Sequence, residues 1–215
     1  MVVRAEGAAM ESIAILLYDG FDELDGIGPF ETFEMAADAG APFDVSLVTL
    51  DDRERITAAH GLRLEPDDIL PVADPPDLVV VPGGGWNDRR SQGAWAEAER
   101  GTIPDALARV HGAGTTLASV CTGGMLLARA GILDGRPAVT HGGALDDLRA
   151  TDAEVVDARV VDDGDVVTAG GITSGLDLAL HLIERFVDAE TAAEVAAGME
   201  YDRRGEVWVS SGVGG

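Results

Sequence analysis

The chain has 215 residues, with 39 acidic and 15 basic side chains, so its formal net charge is −24 when the four histidines are neutral. Every basic residue is Arg. The absence of Lys excludes phosphate-loop NTPases, pyridoxal enzymes and Schiff-base aldolases, because each needs a lysine amine at its reacting centre. Nucleic acids and anionic membranes would be repelled by the acidic chain, so we expect neither as a partner. A small-molecule substrate is the remaining expectation.

The composition is that of a folded protein, since 46% of the residues are hydrophobic. We predict a flexible leader over residues 1–11 and a single domain over residues 12–215, as is usual at this length. Abundant acid without Lys is typical of a halophilic protein, whose self-repulsion is screened by concentrated salt. A GC-rich genome that favours Arg codons is the alternative explanation for the missing Lys.

We expect a cytoplasmic protein. No apolar stretch of the sequence reaches the roughly 18–20 residues of a membrane span, and the N-terminus lacks the features of a signal peptide. The single cysteine, Cys121, cannot form an internal disulfide, which agrees with a reducing compartment.

Short apolar runs alternate with helix-like stretches along the chain, which is typical of buried parallel strands that alternate with helices. Strands are predicted over 13–18, 45–49, 78–81, 115–120, 155–161 and 166–169. Helices are predicted from Pro29, in a first turn, to Gly40, and over 103–111, 123–130, 174–186 and 189–197. This order indicates an α/β fold, a flavodoxin-like three-layer α/β/α sandwich with a mostly parallel sheet.

Two local patterns add detail to the prediction for the second half of the chain. Residues 162–165 read Asp-Asp-Gly-Asp, a turn sequence that predicts an antiparallel hairpin between the flanking strands. Ser174 with Asp177 three residues later predicts an N-cap for the helix that follows.

Cys121 lies directly after a predicted strand and before a predicted helix, within Ala118–Gly124. This strand-turn-helix pattern is typical of a nucleophile elbow, in which the side chain projects from the carboxyl end of the sheet and the helix N-terminus stabilises negative charge. The alternative is that Cys121 is a small buried hydrophobic residue.

Several motifs resemble the ThiJ/PfpI superfamily of glutamine-amidotransferase-like proteins, in particular its isonitrile-hydratase-like branch. They are CTGGMLLARAGIL (121–133) with 134–136 and 140–141, YDGFDELDGIGPFETF (18–33), the strand and loop 80–84, TAGGITSGLDLAL (168–180), and the terminal 200–202. The resemblance covers about residues 12–203 and implies a homodimer that needs no cofactor.

The resemblance implies that Cys121 is the nucleophile and that Asp25 is the acid facing it. An ionised carboxylate and a thiolate would repel each other, so the pair should share a proton and titrate as a unit. The structural alternative is that Asp25 is the N-cap of the helix predicted to start at Pro29. We expect its neighbours Asp22 and Glu23 on a solvated loop.

The loop Gly83–Gly85 follows a strand and should face the elbow. Its amides, with Gly84 as the best candidate and Gly85 beside it, would form an oxyanion hole together with the amide of Thr122. His141 is a possible site neighbour, or else a structural histidine. The next residue is Gly142, where the family usually has an aromatic residue, which makes the pocket roomier.

The remaining polar and aromatic residues are expected to be structural or solvated. We predict no metal, because the spacing of the other histidines and the single cysteine do not suit zinc. The residues expected to be structural or solvated are His60, His111 and His181, the three tryptophans Trp86, Trp95 and Trp208, and the acid pairs at 51–52, 67–68, 146–147 and 162–163. For the tryptophans, lining the pocket or an interface is the alternative to core or surface packing.

Thr122 follows the cysteine at the position where the protease branch of the family has histidine, which argues against a peptidase. Cys121, Thr122 and Asp25 match the isonitrile hydratases, so the resemblance implies a lyase that converts isonitriles to formamides, with Thr122 orienting water or substrate. The alternatives are a glyoxalase or deglycase that acts on reactive carbonyls, or a non-catalytic redox- or ligand-sensing protein.

Overall fold

A computed structural model describes residues 11–211 of the chain. Within these residues the strands are β1 (Glu11–Leu16), β2 (Phe43–Thr49), β3 (Ile56–Thr57), β4 (Arg63–Leu64), β5 (Asp68–Ile69), β6 (Leu78–Val81), β7 (Thr116–Ser119), β8 (Pro137–Ala138), β9 (Glu154–Val155), β10 (Val160–Asp162), β11 (Val166–Ala169) and β12 (Val207–Val209). The helices are α1 (Glu23–Asp38), α2 (Ala94–Arg100), α3 (Thr102–Gly112), α4 (Gly123–Arg129), α5 (Leu145–Arg149), α6 (Ser174–Phe186) and α7 (Ala189–Gly198). None of the described helices is both long and apolar enough to cross a membrane.

The core of the fold is an eight-stranded sheet in the order β12-β10-β11-β7-β6-β1-β2-β5. Neighbouring strands are parallel except for β10 and β11, which form the predicted antiparallel hairpin with Val160 opposite Ala169. One group of packed helices contains α1, α6 and α7, and another contains α2, α3 and α4. The flavodoxin-like α/β/α sandwich with a mostly parallel sheet is therefore confirmed.

The central strands are apolar along their length because helices cover both faces of the sheet. All four residues of β6, Leu78 to Val81, are buried, as are Ile13 to Leu16 of β1. Since β1, β6 and β7 are parallel neighbours, their carboxyl ends meet at one edge. This arrangement brings the segment before α1, the glycine loop after β6 and Cys121 after β7 together.

Helix α1 begins at Glu23, ahead of the start predicted near Pro29, which lies inside the helix. The N-cap is Asp22, whose carboxylate accepts a hydrogen bond from the Leu24 amide at 3.3 Å. Asp25 is therefore a helical residue and not the N-cap, and Asp22 and Glu23 do not lie on a solvated loop.

The cause of this difference is tertiary packing. A Cβ atom on Gly26 would lie 3.0 Å from the ring of Phe21, and one on Gly28 would lie 3.2 Å from Leu176. Glycine and proline lower helix propensity, so the sequence pattern does not predict this first part of α1 as a helix. Here the small residues allow close contacts that stabilise the helix nonetheless.

The expectation that the acid pairs are solvated is wrong at Asp162. Asp162 is 1% exposed, and its carboxylate lies 2.7 Å from His181 Nε2 and accepts a hydrogen bond from Arg185 at 3.2 Å. Asp147 accepts a hydrogen bond from Trp86 Nε1 at 2.6 Å, but its side chain is 38% exposed and stays in contact with solvent. Both carboxylates join separate elements of the fold.

The N-cap predicted at Ser174 is also wrong. Ser174 is buried and is the first residue of α6, while Thr173 occupies the N-cap position without a side-chain capping hydrogen bond. Asp177 is buried as well, and it binds Arg159 and Tyr201 instead of a backbone amide of its own helix turn.

Other differences concern short elements. The predicted strand 155–161 is divided, since β9 pairs with β8 in a separate small sheet. Helix α2 and strand β12, which pairs in parallel with β10, were not predicted from the sequence. The predicted leader lies outside the described residues except for Glu11, which instead begins β1 opposite Phe43.

Candidate active site

Cys121 lies in the sharp turn between β7 and α4, as the predicted nucleophile elbow requires. Its φ angle is +57°, in the left-handed region that residues other than glycine rarely adopt. The Cys121 amide donates a hydrogen bond to the Gly170 carbonyl at 2.8 Å, and its carbonyl accepts one from Thr140 Oγ1 at 2.8 Å. These contacts hold the strained turn, and the residue is 5% exposed.

Two glycines allow the elbow and the loop after β6 to touch. A Cβ atom on Gly123 would lie 2.0 Å from the Val81 carbonyl oxygen. One on Gly83 would lie 2.4 Å from the Thr122 amide nitrogen. Any side chain at either position would therefore separate the two segments that form the site.

Asp25 lies in the first turn of α1 and is completely buried. Its Oδ2 accepts a hydrogen bond from the Gly83 amide at 3.0 Å, whereas Oδ1 has no hydrogen-bond partner among the described residues. Burial, helped by the charge of Asp22, raises the pKa of Asp25 to about 7, although hydrogen bonds from Gly83 and Cys121 oppose the rise.

The thiol of Cys121 is also held in its neutral form. Burial and the nearby Asp25 raise the pKa of Cys121 to about 12, although the amides of Ile172 and Thr122, which donate to the sulfur, oppose the rise. Near neutral pH the thiol is protonated and the carboxyl is close to its midpoint. Because the two groups interact, they titrate as a pair.

Thr122 joins the elbow to the glycine loop. Its Oγ1 accepts a hydrogen bond from the Gly84 amide at 2.9 Å. An oxyanion bound at the Gly84 amide would therefore take the place of the Thr122 hydroxyl group as the acceptor of this hydrogen bond. Gly84 itself has a φ of +118°, which only glycine adopts freely.

Tyr18 is a buried residue of the site that the sequence pattern did not indicate. Its hydroxyl donates a hydrogen bond to the Pro82 carbonyl at 2.5 Å. Burial and the charge of Asp25 raise the pKa of Tyr18 well above its ordinary value, so it remains a neutral donor. It thereby fixes the start of the glycine loop.

A cavity of about 180 Å³ lies over Cys121. Its wall presents polar and apolar surface in nearly equal shares, and much of it comes from the loop after Gly85. The lining residues are Asp22, Ala59, His60, Gly84, Gly85, Trp86, Asn87, Asp88, Arg90, Cys121, Thr122, His141 and Ile172. Trp86 lies in this wall, which is the alternative to packing for the tryptophans, whereas His60 is expected to be structural or exposed. No sequence pattern indicates Asn87, Asp88, Arg90 or Ile172.

His141 is part of this cavity wall, as expected for a site neighbour. Its Nδ1 accepts a hydrogen bond from the Gly143 amide at 3.0 Å and lies 3.3 Å from Asn87 Nδ2. An acceptor role for Nδ1 leaves the proton of the neutral ring on Nε2. His141 can therefore offer a hydrogen bond to a bound molecule through Nε2.

The other histidines are paired with acids outside the Cys121–Asp25 pair. His60 Nδ1 lies 2.6 Å from Glu23 Oε2, although His60 also lines the cavity. Within residues 11–211, one group of potential metal ligands, Asp22, Glu23 and His60, lies within 4.8 Å. Hydrogen bonds to Leu24 and His60 already occupy these carboxylates, and the absence of a metal stays a prediction.

Comparison with known proteins places this geometry in a family. Residues 11–185 match the profile of the DJ-1/PfpI family. The chain belongs to the DJ-1/PfpI family. The predicted ThiJ/PfpI resemblance is thereby confirmed.

The chain is also similar to individual proteins of known sequence or structure. An isonitrile hydratase of Pseudomonas putida is 34% identical over 88% of this chain and 78% of its own length. The Parkinson disease protein 7 homolog of Danio rerio is 29% identical over 85% of this chain and 93% of its own length. The crystal structure of a ThiJ/PfpI family protein from Pseudomonas syringae is 26% identical, with a TM-score of 0.80 over 94% of this chain and 83% of its own.

Proposed function

We propose that the chain is a cysteine-dependent lyase that adds water to an isonitrile and releases an N-substituted formamide. The observation that carries this proposal is the completely buried Asp25 carboxyl beside the Cys121 thiol, with one carboxyl oxygen unpaired within the described part of the chain. The relative named isonitrile hydratase, at 34% identity, supports the same reaction.

In the proposed mechanism the sulfur of Cys121 bonds to the terminal carbon of the isonitrile, while Asp25 takes the thiol proton and delivers it to the same carbon. The product is a thioimidate, R–N=CH–S. Water then adds across the C=N bond, with one of its protons going to nitrogen. Cleavage of the C–S bond returns a proton to the pair and releases R–NH–CHO. One water is consumed in each turnover, and no oxidant or reductant is needed.

The pKa values of the pair suit these steps. A thiol with a pKa near 12 does not ionise alone at neutral pH, so it needs a base in contact with it. A carboxyl with a pKa near 7 is a stronger base than an ordinary Asp and still a competent acid afterwards. Asp25 therefore acts first as the base and then as the acid.

We assign Thr122 to the orientation of water or substrate, since its hydroxyl already accepts a hydrogen bond from the Gly84 amide at 2.9 Å. When the tetrahedral adduct forms, the amides of Gly84 and Thr122, with Gly85 beside them, stabilise its oxygen. His141 completes the wall as a hydrogen-bond donor.

A second candidate is the hydration of a reactive carbonyl, as in a glyoxalase or deglycase. It is favoured by the polar part of the cavity wall, in which Asn87, Arg90 and His141 offer hydrogen-bond donors suited to carbonyl oxygens. The same nucleophile would serve both reactions.

The test compares formamide formation from cyclohexyl isocyanide with consumption of methylglyoxal. We expect isocyanide turnover that falls at least about 100-fold in Cys121→Ala and in Asp25→Asn, and that rises through pH 7 in the parent as Asp25 ionises. Asp38→Asn changes an exposed acid at the end of the same helix and should leave turnover unchanged. Unchanged turnover in Cys121→Ala would exclude the thiol mechanism, and turnover of methylglyoxal alone would establish the second candidate.

We further propose that the protein works in the cytoplasm as a homodimer, which sedimentation velocity would test. A redox-sensing role is the alternative to catalysis. It predicts that mild peroxide converts Cys121 to a sulfinate, and mass spectrometry would detect this product.

A further inference from the structure

Ile172 lies at the cavity in a conformation that its own packing does not explain. Its φ angle is +37°, a region that β-branched residues rarely adopt, in the turn between β11 and α6. The side chain is 37% exposed and lines the cavity over Cys121. Ile172 therefore faces the same space as Cys121, and contacts elsewhere must hold this strained residue in place.

Arg159 contacts both ends of the loop that carries Ile172. The Arg159 carbonyl accepts a hydrogen bond from the Gly170 amide at 3.0 Å, and its Nη2 donates to Thr173 Oγ1 at 3.0 Å. Gly170 in turn accepts the hydrogen bond of the Cys121 amide at 2.8 Å. One arginine thus links the loop 170–173 to the elbow.

Arg159 is itself fixed by a buried carboxylate. Its Nε donates to Asp177 Oδ2 at 2.5 Å, and the side chain of Asp177 is only 4% exposed. Asp177 also accepts hydrogen bonds from the Tyr201 hydroxyl at 2.8 Å and from the Arg204 amide at 2.8 Å. Both carboxylate oxygens are therefore occupied.

A partly buried ion pair of this kind contributes little net stability, because desolvation offsets the attraction between the charges. What it does supply is a fixed geometry. Arg159 Nη2 lies 3.4 Å from the Tyr201 hydroxyl and 3.0 Å from Thr173 Oγ1, so it joins the segment around Tyr201 to the loop 170–173.

We propose that Arg159, Asp177 and Tyr201 form a positioning cluster for the reaction of Cys121, because they fix the loop 170–173. The Gly170 carbonyl of this loop accepts the hydrogen bond of the Cys121 amide, and its Ile172 lines the cavity over the sulfur. None of the three contacts the reacting atoms, so their effect on the reaction passes entirely through the loop 170–173. This inference rests on the proposed function only in that Cys121 is the nucleophile.

The test uses Thr173→Val and Tyr201→Phe, which each remove one hydroxyl group and retain side-chain shape. With cyclohexyl isocyanide we expect kcat to fall about tenfold with little change in KM, because the substrate still binds while the sulfur is misplaced. The double variant should lose little more than either single variant, since both hydroxyls act through Arg159. Arg203→Gln, which breaks the neighbouring surface pair of Arg203 with Glu184, is the control and should leave kcat unchanged.

Two further measurements do not depend on the substrate. In both variants the Ile172 amide, assigned by comparison with Ile172→Val, should exchange with solvent about tenfold faster than in the parent. The pH dependence of Cys121 alkylation by iodoacetamide should also move to higher pH. If alkylation and exchange shift but no isocyanide is turned over, the positioning cluster stands and the proposed function fails. If amide exchange and the alkylation profile match the parent, the positioning cluster is refuted.

Discussion

The ionised form of the Asp25 carboxyl group is destabilised by its buried surroundings. It is completely buried, and one of its oxygens has no partner within residues 11–211. A folded protein would be more stable with a neutral group at this position, so the energetic cost of the ionised Asp25 is best explained by its role beside Cys121.

We therefore predict that Asp25→Asn stabilises the protein in a pH-dependent way. The folded-state pKa of Asp25 is raised from 3.8 to about 7, so the folded protein holds a proton that the unfolded chain releases over this range. The stability due to the protonated carboxyl is complete below the unfolded pKa and is lost as the pH rises through 7. The advantage of Asn in the free energy of unfolding should then grow between pH 4 and 7, to at most about 4 kcal/mol.

Urea unfolding of both proteins from pH 4 to 8 measures this advantage. Asp38→Asn, at the exposed end of the same helix, should show no comparable trend. An advantage of Asp25→Asn that is the same at all pH values would mean that Asp25 is not desolvated in the folded protein.

Sequence motifs identified Cys121 and Asp25 but not most of the residues that line the cavity. Cys121 has a local signature because its strand-turn-helix context is contiguous. His60, Arg90 and Ile172 come from three separate segments, and their shared cavity depends on long-range packing. No spacing rule along one sequence contains that information.

The contact between the elbow and the loop after β6 yields a prediction at the level of secondary-structure elements. Gly123→Ala should destabilise the protein by roughly 3 kcal/mol or more, because the added Cβ atom would lie 2.0 Å from the Val81 carbonyl. Gly112→Ala, at the end of α3 where a Cβ atom would meet nothing within 4 Å, is the matched control. Thermal unfolding of the two variants measures the difference, and an equal melting temperature would contradict the close approach of the two segments.

The elements that the sequence predicted well are those with long apolar runs. Strands β1, β6 and β7 and helix α6 are each recognisable from their own residues. The start of α1 is not, because its two glycines and Pro29 disfavour a helix until Phe21 and Leu176 pack against it. Strand β12 is only three residues long and depends on pairing with β10.

The chain carries a net charge of −24, and nearly all acidic side chains of residues 11–211 lie at the surface. Within the described residues, the buried acids are Asp25, Glu97, Asp162 and Asp177. The remaining carboxylates are half-buried or exposed and repel one another through water, where salt screens them effectively. Adaptation to concentrated salt stays a prediction, which the response of the protein to salt would test.

We predict that the melting temperature rises by roughly 5 °C or more between 0.1 M and 2 M KCl, as screening removes surface repulsion. The turnover rate at saturating substrate should change by less than about twofold, because the Cys121–Asp25 pair is buried and weakly screened. Calorimetry and steady-state kinetics at the two salt concentrations measure these quantities. Sucrose at matched water activity is the control, and an equal rise with sucrose would show that screening is not the cause.

The contacts at Gly83 and Gly123 bear on how this scaffold can evolve. Backbone atoms fix the distance between the acid and the nucleophile, so most side-chain changes leave that distance unaltered. The loop after Gly85 supplies Asn87, Asp88 and Arg90 to the wall without contributing to the pair. Under the proposed mechanism, mutations in this loop would change the substrate while Cys121 and Asp25 are inherited unchanged. One ancestral chemistry could in this way diversify into many specificities without an inactive intermediate.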